Sequence, residues 1–364
     1  MNLFYVFEGS LNDSLIGVYN KIRGQKKAFE SYGYNVLLVN IGKNVSRLRT
    51  WLKLLNPFAD HHSVKELFPI IEKNSVYYFR FMTFDFQIGC LLKKLRANNN
   101  IVVIEIPTYP FSKELSYLSG RILYLYHLLF LRFCLKNIHF FVTYSTHNQI
   151  YNIKSIPISN GIDIDMYPVK KNSWIPGSPL VLLIVARTSI WHGIDRVIEG
   201  LKKYYENKPV QEIILNVVGE GDALPTLKSL VRNYNLDDYV KFWGTKIGHE
   251  LDAMYDISHI GIASLGCHRI NIYSASMLKS REYLVRGFPF ICSVDMPDIP
   301  SDFEYVKYFS ADDSYIDMEE VLAWAKKVYE HQHLQENIKN WARMNMSWRI
   351  KLESVVNEIN TYLL

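Results

Sequence analysis

Cysteine is scarce in this 364-residue chain: Cys90, Cys134, Cys267 and Cys292 stand apart, each among apolar neighbours. With no CxxC pair and no Cys/His ligand spacing, a disulfide framework and a zinc site are excluded, and buried thiols in a reducing compartment fit better. There is no repeat of solenoid period and no low-complexity tract. No basic segment precedes the opening apolar run, "MNLFYVFEGS", so a first strand is expected there and not a signal peptide. Neither a nucleophile–base pair nor a three-ligand metal cluster can be assembled, which argues against hydrolase and metal chemistry. The basic residues form no RNA-reading motif, so nucleic acid is not an expected partner.

What is present reads as a globular chain, 49% hydrophobic and 21% charged, long enough for two domains. Charge is unevenly divided. Residues 1–168 hold 19 Lys and Arg against 11 Asp and Glu, whereas the remainder holds 22 against 25. A basic N-terminal part suggests an anionic surface or substrate on that side.

Short continuous apolar runs alternate with helical patterns, the mark of parallel strands covered on both faces. The first half contributes "NLFYVF", "NVLLVN", "SVYYFR", "NIVVIEI" and "FFVTYS"; the second, "LVLLIVA", "IILNVVG", "VKFWG", "IGIASL" and "FPFICS". The expected architecture is α/β: two doubly wound Rossmann-like domains facing a cleft. The boundaries fall at 1–168 and 169–346, because Pro and Gly cluster in "YPVKKNSWIPGSP". A last helix over 347–364, capped by Ser347, either packs locally or crosses back to the first domain.

In such sheets ligands bind beyond the carboxyl ends of the strands, so the strand-to-helix turns are where chemistry is sought. "VARTSIWHGIDRVIEGL" delivers Arg187 to a strand tip and begins a helix through His192 and Gly193. A guanidinium and a helix N-terminus suit phosphate oxygens, while a surface ion pair is the competing reading. "VVGEGDALPTL" carries Gly219 and Gly221 but lacks the third glycine of a dinucleotide fingerprint, so it is read as a tight turn. In "SASMLKSREYLVRGFPFICS", Ser276 is the expected cap of a helix ending at Gly287. The amides near Met277 and Leu278, with Lys279, form a second anion site, and Glu282 is placed to accept hydrogen bonds from ligand hydroxyls. Two anion sites and a hydroxyl acceptor describe a nucleoside diphosphate. Gly9 and Gly17 mark a loop after the first strand, placed to cover that ligand or simply polar and exposed. Asp163 and Asp165 in "GIDID" are better explained by a turn than by a metal.

"ARTSIWHGIDRVIEGL", "LNVVGEGDALPTL", "VKFWG", "GIASLG" and "REYLVRGFP", in this order, resemble the C-terminal half of family 4 (group 1) glycosyltransferases of GT-B fold. "SNGIDIDMYP" and "GVYNKIRGQKKAFESYGYNVLLVN" resemble their inter-domain segment and early N-terminal domain. The resemblance implies a retaining, metal-independent transferase without a cofactor, whose donor substrate is a nucleotide-sugar, a UDP-sugar before a GDP-sugar. It implies transfer to a saccharide acceptor, expected to be lipid-linked, in bacterial surface-polysaccharide (capsule-type) synthesis. Arg187, Lys279 and Glu282 take the catalytic positions. Gly17, His192, Gly219, Phe242, Trp243, Gly244, Ser274, Ser276, Met277 and Leu278 join them in binding the donor, Phe242 to Gly244 as the base-binding loop. The family has lysine at 192 and a first glutamate at 274. Lys279 and a protonated His192 are the candidates to replace the missing cation.

"NVSRLRTWLKLLNPF" places Val45, Leu48, Trp51, Leu52 and Leu55 on one helical face flanked by Arg47, Arg49 and Lys53. This is either an interfacial helix on an anionic membrane or a core-facing one. "RILYLYHLLFLRFCLKNIHFF" is interrupted by Arg121, His127, Arg132 and Lys136, which argues for a buried or interfacial helix and against a membrane span. Arg47, Arg49, Trp51, Lys53, Thr108 and Tyr109 are thus assigned to the acceptor or membrane side, and a peripheral enzyme at the cytoplasmic face of the inner membrane is expected. The alternatives are a nucleotide-sugar epimerase, a phosphorylase or a non-catalytic partner subunit of the same fold.

Overall fold

A computed structural model describes residues 1–9, 16–41, 54–80, 83–110 and 118–363. The chain divides into two compact units, one of residues 1–161 with 348–364 and one of residues 162–347.

The first unit is a seven-stranded sheet with helices on both faces. Its strands are β1 (Asn2–Phe7), β2 (Asn35–Asn40), β3 (Val76–Arg80), β4 (Ile101–Ile106), β5 (Phe140–Thr143), β6 (Gln149–Ile150) and β7 (Ile153–Pro157), in the order β2-β1-β3-β4-β5-β7-β6. All pairings are parallel except β6 with β7. The apolar runs form strands because both faces are covered: Leu3, Tyr5 and Phe7 enter one core, Phe4 and Val6 the other. The described helices are α1 (Ile16–Ser31), α2 (Phe86–Ala97), α3 (Leu118–Leu135) and α10 (Trp348–Thr361). Trp348, Leu352, Val355, Val356 and Ile359 of α10 enter the same core as β1, which places the last helix in the first unit.

The second unit is a six-stranded, all-parallel sheet. It comprises β8 (Leu180–Val185), β9 (Ile213–Val218), β10 (Val240–Phe242), β11 (Ile260–Ile262), β12 (Phe290–Cys292) and β13 (Val306–Tyr308), ordered β10-β9-β8-β11-β12-β13. Around it pack α4 (Ile194–Glu206), α5 (Leu224–Asn233), α6 (Gly248–Asp256), α7 (Leu278–Val285), α8 (Met318–Tyr329) and α9 (Leu334–Met346). The unit begins at Ile162, earlier than the Pro/Gly-rich stretch suggests. Ile162 and Ile164 already belong to the second core, and Trp174, within the expected linker, is buried in it. In both sheets the strand order reverses beside the first strand, between β1 and β3 and between β8 and β11, which puts a crevice at each carboxyl edge.

Helix α3 explains its own interruptions. His127 is buried; its Nδ1 accepts from the Phe84 N–H (3.1 Å), and its Nε2 pairs with the Tyr151 hydroxyl (3.1 Å). Burial draws its pKa down to about 4, so the ring is neutral and its place among leucines costs little. In the unfolded chain the ring titrates near 6.5, so protons bind the unfolded state first and stability falls as pH drops from about 6.5 to about 4. The share of His127 is a loss of ~2–3 kcal/mol across that window, read by denaturant unfolding as the difference in pH dependence between wild type and His127→Gln, which keeps an acceptor for Phe84.

Candidate functional site

At the carboxyl edge of the second sheet the turns after β8, β9 and β11 are bonded into one another. The Thr188 N–H donates to the Glu220 carbonyl (3.1 Å) and the Ala223 N–H to the Thr188 carbonyl (3.0 Å). Leu265 and Gly266 N–H groups donate to the His192 and Trp191 carbonyls (3.0 and 3.1 Å). Glycine makes this approach possible. At Gly219, with φ 122°, a Cβ would stand 1.9 Å from the Ala186 carbonyl oxygen, and at Gly193, with φ 64°, 2.7 Å from the Leu265 carbonyl carbon. The tight-turn reading of Gly219 therefore has a concrete cause. Arg196, at the start of α4, is buried and donates to the carbonyls of Leu265, Ser310 and Ser314, tying the segments after β11 and β13 together.

Arg187 stands exposed two residues beyond β8 and makes no side-chain hydrogen bond or ion pair among the described residues. It is the guanidinium at a strand tip that the sequence suggests, and the exposed Asp222 carboxylate lies close enough to feel its charge. His192 ends a 3₁₀ turn (Ile190–His192) placed between β8 and α4. Its Nδ1 accepts from the Ser189 N–H (3.3 Å), which leaves Nε2 as a donor. Burial, with the nearby Lys279 charge, lowers its pKa to about 4. Without a ligand the ring is therefore a neutral donor at neutral pH and not the protonated cation considered from sequence, because burial and a neighbouring cation both oppose its charge.

Lys279 lies in the first turn of α7. Its Nζ is buried and has no hydrogen-bond partner, and burial brings its pKa down to about 7 against the pull of the Glu282 carboxylate. It is close enough to His192 and to Cys267, after β11, for their charges to interact. The two anion sites read separately from sequence are thus one neighbourhood. The hydroxyls of Thr188, Ser276 and Ser280 are likewise buried without partners. Ser276 does not cap α7. The helix begins at Leu278 with Met277 as its cap residue, because 273–275 is held extended by Asp295: the Ala275 N–H donates to the Asp295 carbonyl and the Asp295 N–H to that of Tyr273, both at 2.9 Å. The free amides are therefore those of the first turn from Leu278. Arg281, fully buried, fixes this start by donating to the Met277 carbonyl (3.0 Å) and pairing with Asp298.

Glu282 is half-buried and accepts from the Tyr167 hydroxyl (3.3 Å). Burial raises its pKa above the ordinary value, opposed by Arg286, Tyr167 and Lys279. Ser274 carries no carboxylate, yet its Oγ lies 3.2 Å from Oδ2 of the exposed Asp295, which sequence reading missed. Trp243, 44% exposed, donates its Nε1–H to Asn216 (2.9 Å); it and Phe242 line a hollow of about 430 Å³ with Lys228, Val231 and Arg232. That hollow is not lined by Arg187, Lys279 or Glu282. Gly244 (φ 65°) accepts from the Gly219 N–H (2.7 Å).

Of the remaining positions, Gly17 falls within α1 and not in the loop before it, because the helix already begins at Ile16. Thr108 is exposed just after β4, and Tyr109 packs on His147 and Tyr151. Arg47, Arg49, Trp51 and Lys53 lie outside the described residues. Asp163 precedes a 3₁₀ turn (Ile164–Met166) that contains Asp165, and among the described residues no group of His, Cys, Asp and Glu could hold a metal ion. The arrangement as a whole offers a permanent cation, an adjustable one, a neutral imidazole donor and helix amides, a set of groups for paired oxyanions.

An ammonium buried without an acceptor destabilises the unliganded fold, and Lys279→Met removes it. The variant is expected to be more stable than wild type by roughly 1–3 kcal/mol below pH 7. The folded pKa of about 7 lies below the unfolded 10.5, so the penalty is fully present below pH 7 and is relieved as pH rises towards 10.5. Melting curves of both proteins at pH 6 and pH 9 check this: a difference larger at pH 6 is expected.

Residues 168–265, from before β8 to the turn after β11, match the family model described as glycosyl transferases group 1. No curated protein sequence matches the chain significantly. Among solved structures, a glycosyltransferase from Rickettsia africae aligns over 100% of this chain and 98% of its own, with TM-score 0.64 and 14% identity. The Anabaena protein HepE in complex with UDP-glucose aligns over 99% and 100%, with TM-score 0.58 and 10% identity. The lipopolysaccharide outer core galactosyltransferase WaaB, in apo form, aligns over 100% and 99%, with TM-score 0.58 and 11% identity. The chain thus has the GT-B fold of these glycosyltransferases, and the stretch that matches the group 1 model lies within its second unit.

Proposed function

We propose that this protein transfers a sugar, with retention, from a UDP-sugar to a saccharide acceptor, using side-chain cations and no metal to stabilise the leaving diphosphate. The observation that carries the reading is the buried, unpartnered Lys279 ammonium in the first turn of α7. As the glycosidic bond breaks, negative charge grows on the nucleoside diphosphate. Arg187, Lys279, the His192 Nε2–H and the α7 amides offset it, and an ammonium already stripped of water does so without reorganisation. Glu282, with its second oxygen open, accepts from ribose hydroxyls. Asp295 brings a carboxylate to the place where Ser274 lacks one and takes over contact with the donor sugar. Uracil is the favoured base, in keeping with the UDP-glucose bound by HepE.

Calorimetric titration with UDP, GDP, ADP and dTDP in EDTA tests this. UDP should bind most tightly, and Arg187→Ala and Glu282→Ala should each weaken it by about 1.5–3 kcal/mol, or tenfold or more. Binding of none of the four would instead favour a non-catalytic subunit.

The acceptor reading extends to the membrane. No helix among the described residues is long and apolar enough to cross one. Helix α3, however, exposes Leu125, Leu128 and Leu129 in line with Arg121, Arg132 and Lys136, carries no acidic residue, and adjoins the exposed Phe58. Such a face suits the headgroup layer of an anionic bilayer and a lipid-linked acceptor in surface-polysaccharide synthesis. Flotation with vesicles rich in phosphatidylglycerol at low salt should carry the protein, and Leu128→Glu with Leu129→Glu should release it. Equal flotation of both proteins, or of neither, would remove the membrane from the account.

A further inference from the structure

The first unit buries a charged cluster at its own switch point. Glu105, the penultimate residue of β4, has a fully buried side chain; its Oε2 accepts from the Tyr78 hydroxyl and from Gln25 Nε2 (both 2.7 Å), and its Oε1 from Arg80 Nη1 (2.9 Å). Gln25 in turn accepts from the Tyr5 hydroxyl (2.6 Å) and lies 3.1 Å from the Tyr144 hydroxyl. Lys21, on α1, lies 3.8 Å from Glu105 Oε1, beyond hydrogen-bond reach, with its ammonium 3.4 Å from the centre of the Tyr144 ring.

The carboxylate and Arg80 are therefore paired, while Lys21 holds only the long ion pair to Glu105. Among the described residues Lys21 and Arg80 bring two positive charges to one negative, and the Lys21 ammonium has only the long ion pair to Glu105 and the ring faces of Tyr144 and Trp348. The Lys21 and Arg80 side chains are 13% and 16% exposed, so the surplus charge is largely desolvated yet open to solvent on one side. A network that only pinned strands would be balanced, because an uncompensated charge kept from water costs free energy. Its position points the same way. Arg80 ends β3, Glu105 nearly ends β4, and Tyr144 follows β5, at the carboxyl edge beside the β1/β3 reversal where doubly wound sheets take ligands.

We propose that Lys21 and Arg80, held in place by Glu105, form an oxyanion site in the first unit that takes a phosphate-class group of the acceptor. The Lys21 ammonium donates to the phosphate oxygens, the guanidinium adds a second donor, and Tyr144 supports the ammonium from its ring face. That the anion belongs to an acceptor rests on the transfer reading above; that the site takes an anion does not. Burial brings the Lys21 pKa down to about 8, so its free amine is abundant enough at pH 8 to report on occupancy.

Acetylation of Lys21 in the full-length protein, followed at pH 8 by peptide mass spectrometry, tests the proposal. Inorganic phosphate at 20 mM is expected to slow modification of Lys21 about fivefold or more relative to sodium chloride of equal ionic strength, with other lysines unaffected. The protection should vanish in Arg80→Gln; should that variant fail to fold, the wild-type comparison stands alone. Equal rates in phosphate and chloride, or no modification of Lys21 in either, would overturn the site. Protection by 1 mM UDP but not by phosphate would assign Lys21 to the donor and overturn it too. The comparison of phosphate with chloride does not depend on whether UDP binds the second unit, so failure of this site and failure of the donor reading are distinguishable.

Discussion

A lysine ammonium held away from water and given no acceptor is costly to fold around, and the second unit is arranged to hold one. Lys279 sits in the first turn of α7, the start of that helix is fixed by the buried Arg281, and the preceding segment is drawn out straight by Asp295. The turns after β8 and β11 are bonded together beside it through Gly193 and anchored by Arg196. Each of these restraints limits how far the loops can relax to give Lys279 a partner from the protein. This unpartnered ammonium is the ground on which the diphosphate site is proposed.

His192 shows why position matters more than residue type. A second permanent cation beside Lys279 would add like-charge repulsion in a poorly solvated place. A neutral imidazole, oriented by the Ser189 N–H, supplies a donor without that cost. The first unit uses a different solution at its own carboxyl edge. There a buried carboxylate, Glu105, holds two cations, and the surplus of one charge is spread between Lys21 and Arg80 instead of resting on one nitrogen.

Much of the scaffold is legible in the sequence because parallel strands buried on both faces are continuous apolar runs, and all ten such runs form strands. Strands β6, β7 and β13 escape that reading: each has two to five residues and is partly exposed, so none shows a continuous apolar run. The boundary at Gly161 is hidden because a Pro/Gly-rich stretch looks like a linker even where Trp174 is buried. Of the site, Arg187 is readable from its place at a strand tip. The start of α7 is not, since the pairing of Ala275 and Tyr273 with Asp295 is a tertiary fact that overrides the capping propensity of Ser276. Lys21, Arg80 and Glu105 are far apart in the chain and meet only in the fold. A lone carboxylate inside the apolar run "NIVVIEI" was their one visible signal.

The central claim is that the Lys279 ammonium awaits the diphosphate of a nucleotide-sugar. Its most direct test is the pKa of Lys279 itself, followed by NMR of protein carrying ¹³C-labelled lysine, with Lys279→Arg used to assign the signal. Without ligand the ammonium should titrate near the value of about 7 that burial sets. With saturating UDP an anion in contact should raise it by about two units or more, since an opposite charge favours the protonated form. A Lys279 pKa unchanged by bound UDP would contradict the account.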